Sequence, residues 1–190
     1  MVCESEYQSA RKKPRIRQEF LDRIYKSDTI IKRKYARKLA YTGPHPKGFQ
    51  ATCKTPFLAR LGIRGFRSRI LIHEKAFHFL RTPQEFESVL RHENQHAKDH
   101  YENPGLYASG LFHGMRLRRL LFIRRIKKRY IARHDIRIAR TELRACKLNL
   151  DDIRKNPRRF SPRFKKYLLR KIEKNREILE KSEKLLSERQ

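Results

Sequence analysis

The sequence predicts an α+β fold, mostly helical with a small β-sheet. Three observations favour it. A helix start is strongly marked at Thr82-Pro83-Gln84-Glu85, where a capping threonine, a first-turn proline and a glutamate three residues on form a capping box. Ser68 to His73 is a short apolar, β-branched run typical of a strand. From Ser161-Pro162 onward, Leu168 and Ile172 recur at helical spacing with Leu179 and Leu186.

The composition limits the size of the hydrophobic core and indicates the kind of binding partner. The 190 residues are 38% hydrophobic and 36% charged, which suits one domain with a thin core. We expect a basic flexible arm over 1–18, a globular domain over 19–152 and a C-terminal helical extension over 153–190. The net charge of +29 indicates either nucleic acid or another polyanion as a partner, or a general surface bias.

The cysteines and the N-terminus favour an intracellular protein. Cys3, Cys53 and Cys146 are isolated and odd in number, which argues against a disulfide framework and against a thiolate zinc cluster. The N-terminus has acidic residues where a secretory signal needs a basic start and an apolar run. We therefore expect a cytoplasmic chain with no transmembrane segment.

The remaining elements follow from periodicity and turn residues. Apolar residues from Phe20 to about Ala40 return at helical spacing, which predicts one or two helices there. The helix that starts at Thr82 should run to about Tyr101, before Asn103-Pro104-Gly105. A further helix is expected from about His134 to Leu150. In the basic stretch before it, Arg118, Arg125 and Arg129 would share one helical stripe that is either solvated or phosphate-binding.

The chemistry lies in the segment His92-Glu93-Asn94-Gln95-His96. Residues four apart lie on one face of a helix, so His92 and His96 can present their imidazoles to a single metal ion. This is the HExxH pattern, in which two histidines bind Zn²⁺ and the glutamate acts as general base on a metal-activated water. The segment predicts a zinc metallopeptidase with Glu93 as the catalytic base; the alternative is a coincidental pair of surface histidines.

Catalytic zinc needs a third protein ligand, and four residues are candidates. His100 stands about 12 Å from His92 along the helix, too far to share one ion. Asp99 is almost as far, so we expect Asp99 and His100 to be supporting residues that orient the ligands. Glu102 has the spacing of the last metzincin ligand, but those proteins have glycine where this chain has Asp99.

Glu142 is the strongest of the four candidates. Its predicted helix surrounds it with small and apolar residues on the same face, namely Ile138, Ala139, Ala145 and Cys146. A carboxylate in such a place needs compensation, either by a divalent cation or by a salt bridge to one of many arginines. The sequence therefore predicts His92, His96 and Glu142 as the metal ligands.

These elements resemble a known family. HExxH on one helix with a glutamate on a second is the gluzincin arrangement. His92 to His100 followed by Thr141-Glu142-Leu143-Arg144-Ala145 is similar to the HExxHxxDH and EIRA-type elements of the mitochondrial inner-membrane peptidases that help assemble ATP synthase. The resemblance covers less than half of the chain. It implies a zincin-like fold and a peptide substrate held as an added strand against Arg69, Ile70, Leu71, Ile72 and His73.

Other functions stay open. One is an SprT-like metalloprotease associated with DNA. Another is a basic nucleic-acid-binding protein with an incidental HExxH, whose phosphate contacts would come from Arg11 to Arg17 and Arg116 to Arg133. A third is an inactive form or zymogen with the N-terminal arm or the C-terminal helix over the cleft. Tyr101, Tyr107, His113 and His134 are available to stabilise an oxyanion, and the sequence does not rank them.

Overall fold

The computed structural model describes residues 2–46, 50–57, 63–103 and 124–187, with side chains from residue 128 in the last range. These residues form a three-stranded sheet and six α-helices, which makes the chain mostly helical and α+β as predicted. The strands are β1 Ala36–Thr42, β2 Ala51–Lys54 and β3 Ser68–His73. The helices are α1 Glu4–Lys12, α2 Arg17–Ser27, α3 Glu74–Phe79, α4 Pro83–Glu102, α5 Arg124–Lys155 and α6 Pro162–Ser187.

The sheet has the order β1-β3-β2, with β3 in the centre. β3 pairs in parallel with β1 and antiparallel with β2. The strand predicted at Ser68 to His73 is confirmed, whereas the helical interpretation of the chain up to Ala40 is wrong beyond Ser27. Leu39 and Ala40 are buried by pairing beside Ile70 and Leu71, and this tertiary contact overrides their helix-like spacing.

Residues 2–18 pack against the rest of the fold, so the prediction of a flexible basic arm is corrected. Tyr7 and Ala10 on α1 are completely buried, and Tyr7 packs against the ring of Phe86 on α4. Arg17 is 1% exposed and donates hydrogen bonds to the carbonyls of Ala10 and Arg11. The arm was predicted because basic residues outnumber apolar ones there, but the two buried side chains and a hydrogen bond from Tyr7 to the Leu80 carbonyl hold the helix in place.

Helix α4 begins as predicted, and its first turn is tied to α6. Thr82 Oγ1 accepts a hydrogen bond from the Glu85 amide at 3.2 Å. The buried Glu85 carboxylate accepts from the Arg81 amide at 2.7 Å, one residue earlier than in a standard capping box. Its other oxygen accepts from the Ser161 amide at 2.7 Å, just before α6 begins. One carboxylate therefore joins the starts of two helices.

Helices α5 and α6 pack against each other and complete the core. α5 is one continuous 32-residue helix, so the helix predicted from His134 extends well beyond both of its predicted ends. Ser161 caps α6 by accepting from the Phe164 amide, as the Ser161-Pro162 signal predicts. Phe160 and Phe164 join the same core cluster as Tyr7 and Phe86. No helix in the described ranges combines the length and the apolar character needed to cross a membrane.

Candidate metal centre

His92 and His96 lie one turn apart on the inner face of α4. Their rings are buried at a centroid distance of 4.9 Å, and the two Nε2 atoms are 3.2 Å apart. The capped start of α4 and its buried residues Phe86, Leu90 and Ala97 fix which face points inward. The histidine pair therefore presents two nitrogen ligands to one point, as the i, i+4 spacing predicts.

Glu142 of α5 meets both histidines. Its carboxylate oxygens lie 3.3 Å from His92 Nε2 and 3.4 Å from His96 Nε2, and the ligand atoms of the three residues fall within 4.8 Å of one another. Glu142 Oε2 is buried. Two imidazole nitrogens and a carboxylate oxygen that converge in this way suit a divalent cation, so this group could hold a metal ion.

Comparison with known proteins gives no information about the role of this site. No family model, curated protein or solved structure matches it. What the metal centre does must therefore follow from its own residues and their surroundings.

The charges at the centre are strongly coupled. Burial alone would raise the pKa of Glu142, but its contacts with the two imidazoles and the nearby Lys171 ammonium hold it well below its usual range. Burial lowers the pKa of His92, and the Lys171 charge lowers it further. For His96 burial acts in the same direction, but Glu142 and Glu93 outweigh it and raise the pKa. Glu142 is therefore an anion and His92 a neutral imidazole near pH 7.

Asn149 sets the orientation of His92. Its Nδ2 donates to the carbonyl and the hydroxyl of Ser88, each at 2.7 Å, so its Oδ1 faces His92 Nδ1 at 2.9 Å as an acceptor. His92 must then carry its proton on Nδ1, which leaves the Nε2 lone pair aimed at the centre. A ligand histidine whose second nitrogen donates to an amide oxygen is held in the metal-binding tautomer.

Lys171 reaches the same point from α6. Its Nζ lies 2.8 Å from Glu142 Oε2 and 3.1 Å from His92 Nε2. Glu142 raises the pKa of Lys171 against the opposing effect of burial, which keeps the ammonium charged. An internal cation therefore neutralises the carboxylate, and the C-terminal helix forms one wall of the centre.

The metal centre opens into a cavity of about 720 Å³. Glu93 is 7% exposed and lines this cavity beside the two histidines. The other walls come from α5, α6 and β2, including Thr141, Tyr167, Lys171, Ala51, Thr52 and Cys53. A volume of this size accommodates several residues of an extended peptide or a small organic molecule.

The other predicted site residues lie farther out. Buried Asp99 accepts from Gln95 Nε2 at 3.0 Å and from Arg144 Nη2 at 3.3 Å, which ties α4 to α5. His100 faces the sheet, with Nδ1 3.1 Å from Ser68 Oγ and 3.1 Å from Thr55 Oγ1. Both residues thus hold α4 against its neighbours.

Two alternatives considered for the site have other surroundings. Glu102, the metzincin-like candidate, accepts from the Tyr35 hydroxyl at 3.2 Å near the exposed end of α4. Of the tyrosines and histidines considered for an oxyanion, Tyr101 packs on the Tyr35 ring, while Tyr107 and His113 lie outside the described residues. Tyr167, which the sequence did not single out, lines the cavity instead.

The predicted peptide-binding strand needs correction. Arg69 to Ile72 of β3 pair with β1 on one side and with β2 on the other, so β3 has no free edge to accept an added strand. His73 Nε2 contacts Thr52 Oγ1 at 2.9 Å within the sheet. Among the described residues, β2 is the edge strand next to the metal centre.

Asn149, Lys171 and Tyr167 were not found from the sequence. Asn149 lies seven residues after Glu142, two helical turns along the same face, and this spacing was the available signal. No comparable sequence signal marks Lys171 or Tyr167, because the neighbouring residues do not distinguish Lys171 from the other lysines of α6.

Proposed function

We propose that this protein is a zinc-dependent metallopeptidase of gluzincin type with a zincin-like fold. The observation that carries the proposal is the convergence of His92, His96 and Glu142 on one point, with Glu93 in the same cavity. Two imidazole nitrogens and one carboxylate are a ligand set of catalytic zinc, and three protein ligands leave a position for water or substrate.

Glu93 is the proposed general base. It follows His92 in sequence and lines the cavity, so its carboxylate is available to a water held at the open position. Bound zinc would supply Lewis-acid polarisation of the scissile carbonyl and activation of that water. Glu93 takes the proton released by the water and later passes it to the leaving amine.

Neighbouring side chains orient the proposed ligands. Asn149 holds the His92 tautomer, and Asp99 fixes α4 against Arg144 of α5. Tyr167 and Lys171 are polar donors of α6 at the cavity wall, where negative charge would develop on the attacked carbonyl oxygen. Their hydroxyl and ammonium groups are the nearest replacement for the oxyanion residues sought in the sequence.

The proposed substrate is an extended peptide that pairs with β2 rather than with β3. Ala51, Thr52 and Cys53 of β2 and the preceding Gln50 line the cavity that contains the metal centre. On the edge of β2 that faces away from β3, the backbone N–H and C=O groups have no partner strand among the described residues. A peptide added there would form hydrogen bonds with them. Its scissile bond would then lie toward Glu93.

Metal content is the first test. We expect one zinc per chain by elemental analysis of protein purified without added metal, and a sharp loss in Glu142→Ala. The matched control is Glu102→Ala, which removes another carboxylate near the same helix and should retain zinc. Equal zinc in the wild type and Glu142→Ala, or loss in Glu102→Ala instead, would contradict the proposed ligand set.

Activity is the second test, and it separates binding from catalysis. Glu93→Gln should keep zinc but lower the cleavage rate of a fluorogenic casein by at least about a hundredfold, since proton transfer is lost. The control Glu87→Gln changes another buried glutamate of α4 and should remain active. Unchanged activity in Glu93→Gln would show that the assigned mechanism is wrong, whatever the zinc content.

A further inference from the structure

The exposed face of α5 is strongly basic. Apart from Leu148, its exposed residues from 128 onward are Lys or Arg, whereas Asp135 and Asp151 are partly exposed and Asp151 pairs with Arg154 near the end of the helix. Six of the basic residues form what we call the basic stripe: Arg129, Arg133, Arg137, Arg140, Arg144 and Lys147. The spacings of four, four, three, four and three residues keep them on one face through five turns, over about 27 Å.

Helix α6 provides an internal comparison. Its exposed positions include Glu173, Glu177, Glu180 and Glu183 among lysines and arginines, which is the mixed pattern of a solvated helix. A general bias of the surface toward lysine and arginine would act on both helices alike. The absence of exposed acids between Arg129 and Lys147 of α5 therefore indicates a cause that is specific to that part of the helix.

Arg140 and Arg144 of the stripe have acidic neighbours. Arg140 Nη2 lies 2.9 Å from Glu183 of α6, and Arg144 Nη2 lies 3.3 Å from Asp99 of α4. Both side chains are still more than half exposed, at 63% and 53%, and a guanidinium has five N–H donors. These pairs orient the two arginines and leave donors available to a further anion.

We propose that the basic stripe binds the phosphate backbone of duplex nucleic acid. A straight row of cations about 27 Å long matches the regular spacing of phosphates along a duplex, and arginine can contact phosphate in a bidentate manner. The binding is independent of sequence, because contacts to phosphate carry no base information. It goes beyond the proposed hydrolysis and does not depend on the metal.

Other polyanions fit this face less well. A helix that lies on a membrane needs an apolar face directed at the lipid, and Leu148 is the one apolar exposed side chain described on α5 from residue 128. Single-stranded nucleic acid is held largely by stacking on aromatic rings, and no exposed aromatic side chain is described on this face. The chemistry of the stripe is therefore phosphate contact without stacking or insertion.

The test measures fluorescence anisotropy of a labelled DNA duplex of about 20 base pairs between about 50 and 200 mM salt. The stripe variant is Arg133→Glu, Arg137→Glu and Lys147→Glu, which spares Arg140 and Arg144. The matched control on α6 is Arg170→Glu, Arg176→Glu and Lys181→Glu, all exposed. Each variant reverses two arginines and one lysine, so both lower the formal net charge of +29 by the same amount.

We expect the stripe variant to weaken duplex binding by more than about tenfold, and to reduce the salt slope by roughly three, since each lost phosphate contact removes about 0.9. The α6 control should lose much less. Arg133→Gln with Arg137→Gln provides a milder second variant that should reduce the slope by about two if the triple variant does not fold.

Three outcomes would overturn the proposal. An equal loss in the stripe and control variants would show that net charge alone drives binding. Wild-type protein that does not bind the duplex at about 100 mM salt would exclude a backbone-binding face. Tighter binding to a single-stranded oligonucleotide, or to phosphatidylserine vesicles, than to the duplex would assign the stripe to a different partner.

Discussion

Lys171 Nζ lies 2.8 Å from Glu142 Oε2, and this pair joins the C-terminal helix to the metal centre. The ammonium group also lies 3.1 Å from His92 Nε2, so it stands where a divalent cation would meet the same two ligands. A carboxylate buried without compensation is unfavourable, and Lys171 removes that penalty when no metal is bound. A metal ion at this proposed centre would therefore compete with Lys171 for one carboxylate.

The first prediction concerns Lys171→Met, which removes the competing cation and keeps an unbranched side chain. Without metal the variant should unfold at a lower temperature than the wild type, because Glu142 loses its neutralising partner. With metal it should bind zinc more tightly, by about tenfold or more, equivalent to about 1.4 kcal/mol. Thermal unfolding with and without EDTA, together with zinc titration, measures both effects.

The control for Lys171 is Lys166→Met, an exposed lysine of the same helix. It should change neither the unfolding temperature in EDTA nor the affinity for zinc. Weaker zinc binding in Lys171→Met would show instead that the ammonium cooperates with the metal and does not compete with it.

The second prediction concerns Asn149. Asn149→Ala removes the acceptor that holds the Nδ1 proton of His92, so zinc affinity should fall by about 10- to 100-fold. Asn149→Asp keeps an acceptor at the same place and should retain more affinity than the alanine variant. Competition with a chromogenic zinc chelator measures the dissociation constants. Equal affinity in all three proteins would mean that the His92 tautomer is fixed by another contact.

The third prediction concerns alkaline pH. Burial raises the pKa of Tyr7 above its ordinary value near 10, so the folded state keeps a proton that the unfolded state releases. Stability is therefore lost as pH rises above about 10, at up to about 1.4 kcal/mol per pH unit from this residue. Tyr7→Phe is less stable near pH 7, because the hydrogen bond to the Leu80 carbonyl is missing.

Chemical denaturation at several pH values checks the sign. The difference in unfolding free energy between wild type and Tyr7→Phe should narrow as the pH rises beyond about 10, since the variant has no phenol to titrate. Parallel curves over that range would contradict the assignment.

The fourth prediction concerns the N-terminal segment. Arg17 makes three hydrogen bonds, to Ala10, Arg11 and Tyr41, and its guanidinium lies 4.7 Å from the centre of the Phe77 ring. Arg17→Ala should cost about 3 kcal/mol or more of folding stability, because buried acceptors lose their donor. Exposed Arg15→Ala is the control and should change stability by less than about 0.5 kcal/mol. A small effect at Arg17 would restore the flexible arm expected from the sequence.

Local signals predicted the elements around the metal centre. Thr82-Pro83 and Ser161-Pro162 marked the starts of α4 and α6, because capping depends on neighbouring residues alone. The histidine spacing predicted a shared face, and the small apolar neighbours of Glu142 indicated that this carboxylate points inward. These features could be predicted since each is encoded within one or two helical turns.

Features that depend on distant pairing could not be predicted in the same way. Tyr35 and Leu39 have helix-like spacing, yet the chain from Ala36 is a strand because it pairs with β3 more than 30 residues later. β3 is the central strand because β1 and β2 pair with its two edges. The sequence of β3 alone does not reveal these pairings, so it did not exclude β3 as an edge strand. Lys171 is separated from Glu142 by the second part of α5, the connecting turn and the start of α6, and the two side chains meet only after α6 folds back along α5.

The Glu85 carboxylate aligns the N-terminal ends of α4 and α6. It joins the amide of Ser161 to the first turn of α4, so α4 and α6 start side by side. His92 is nine residues after Pro83, and Lys171 is nine residues after Pro162, which is about 13.5 Å along each axis. Because both residues are nine positions after the start of their helices, their side chains lie at the same level along the two helix axes. One residue inserted before Lys171 would turn it about 100° away from Glu142, so the length of each helix is itself part of the centre.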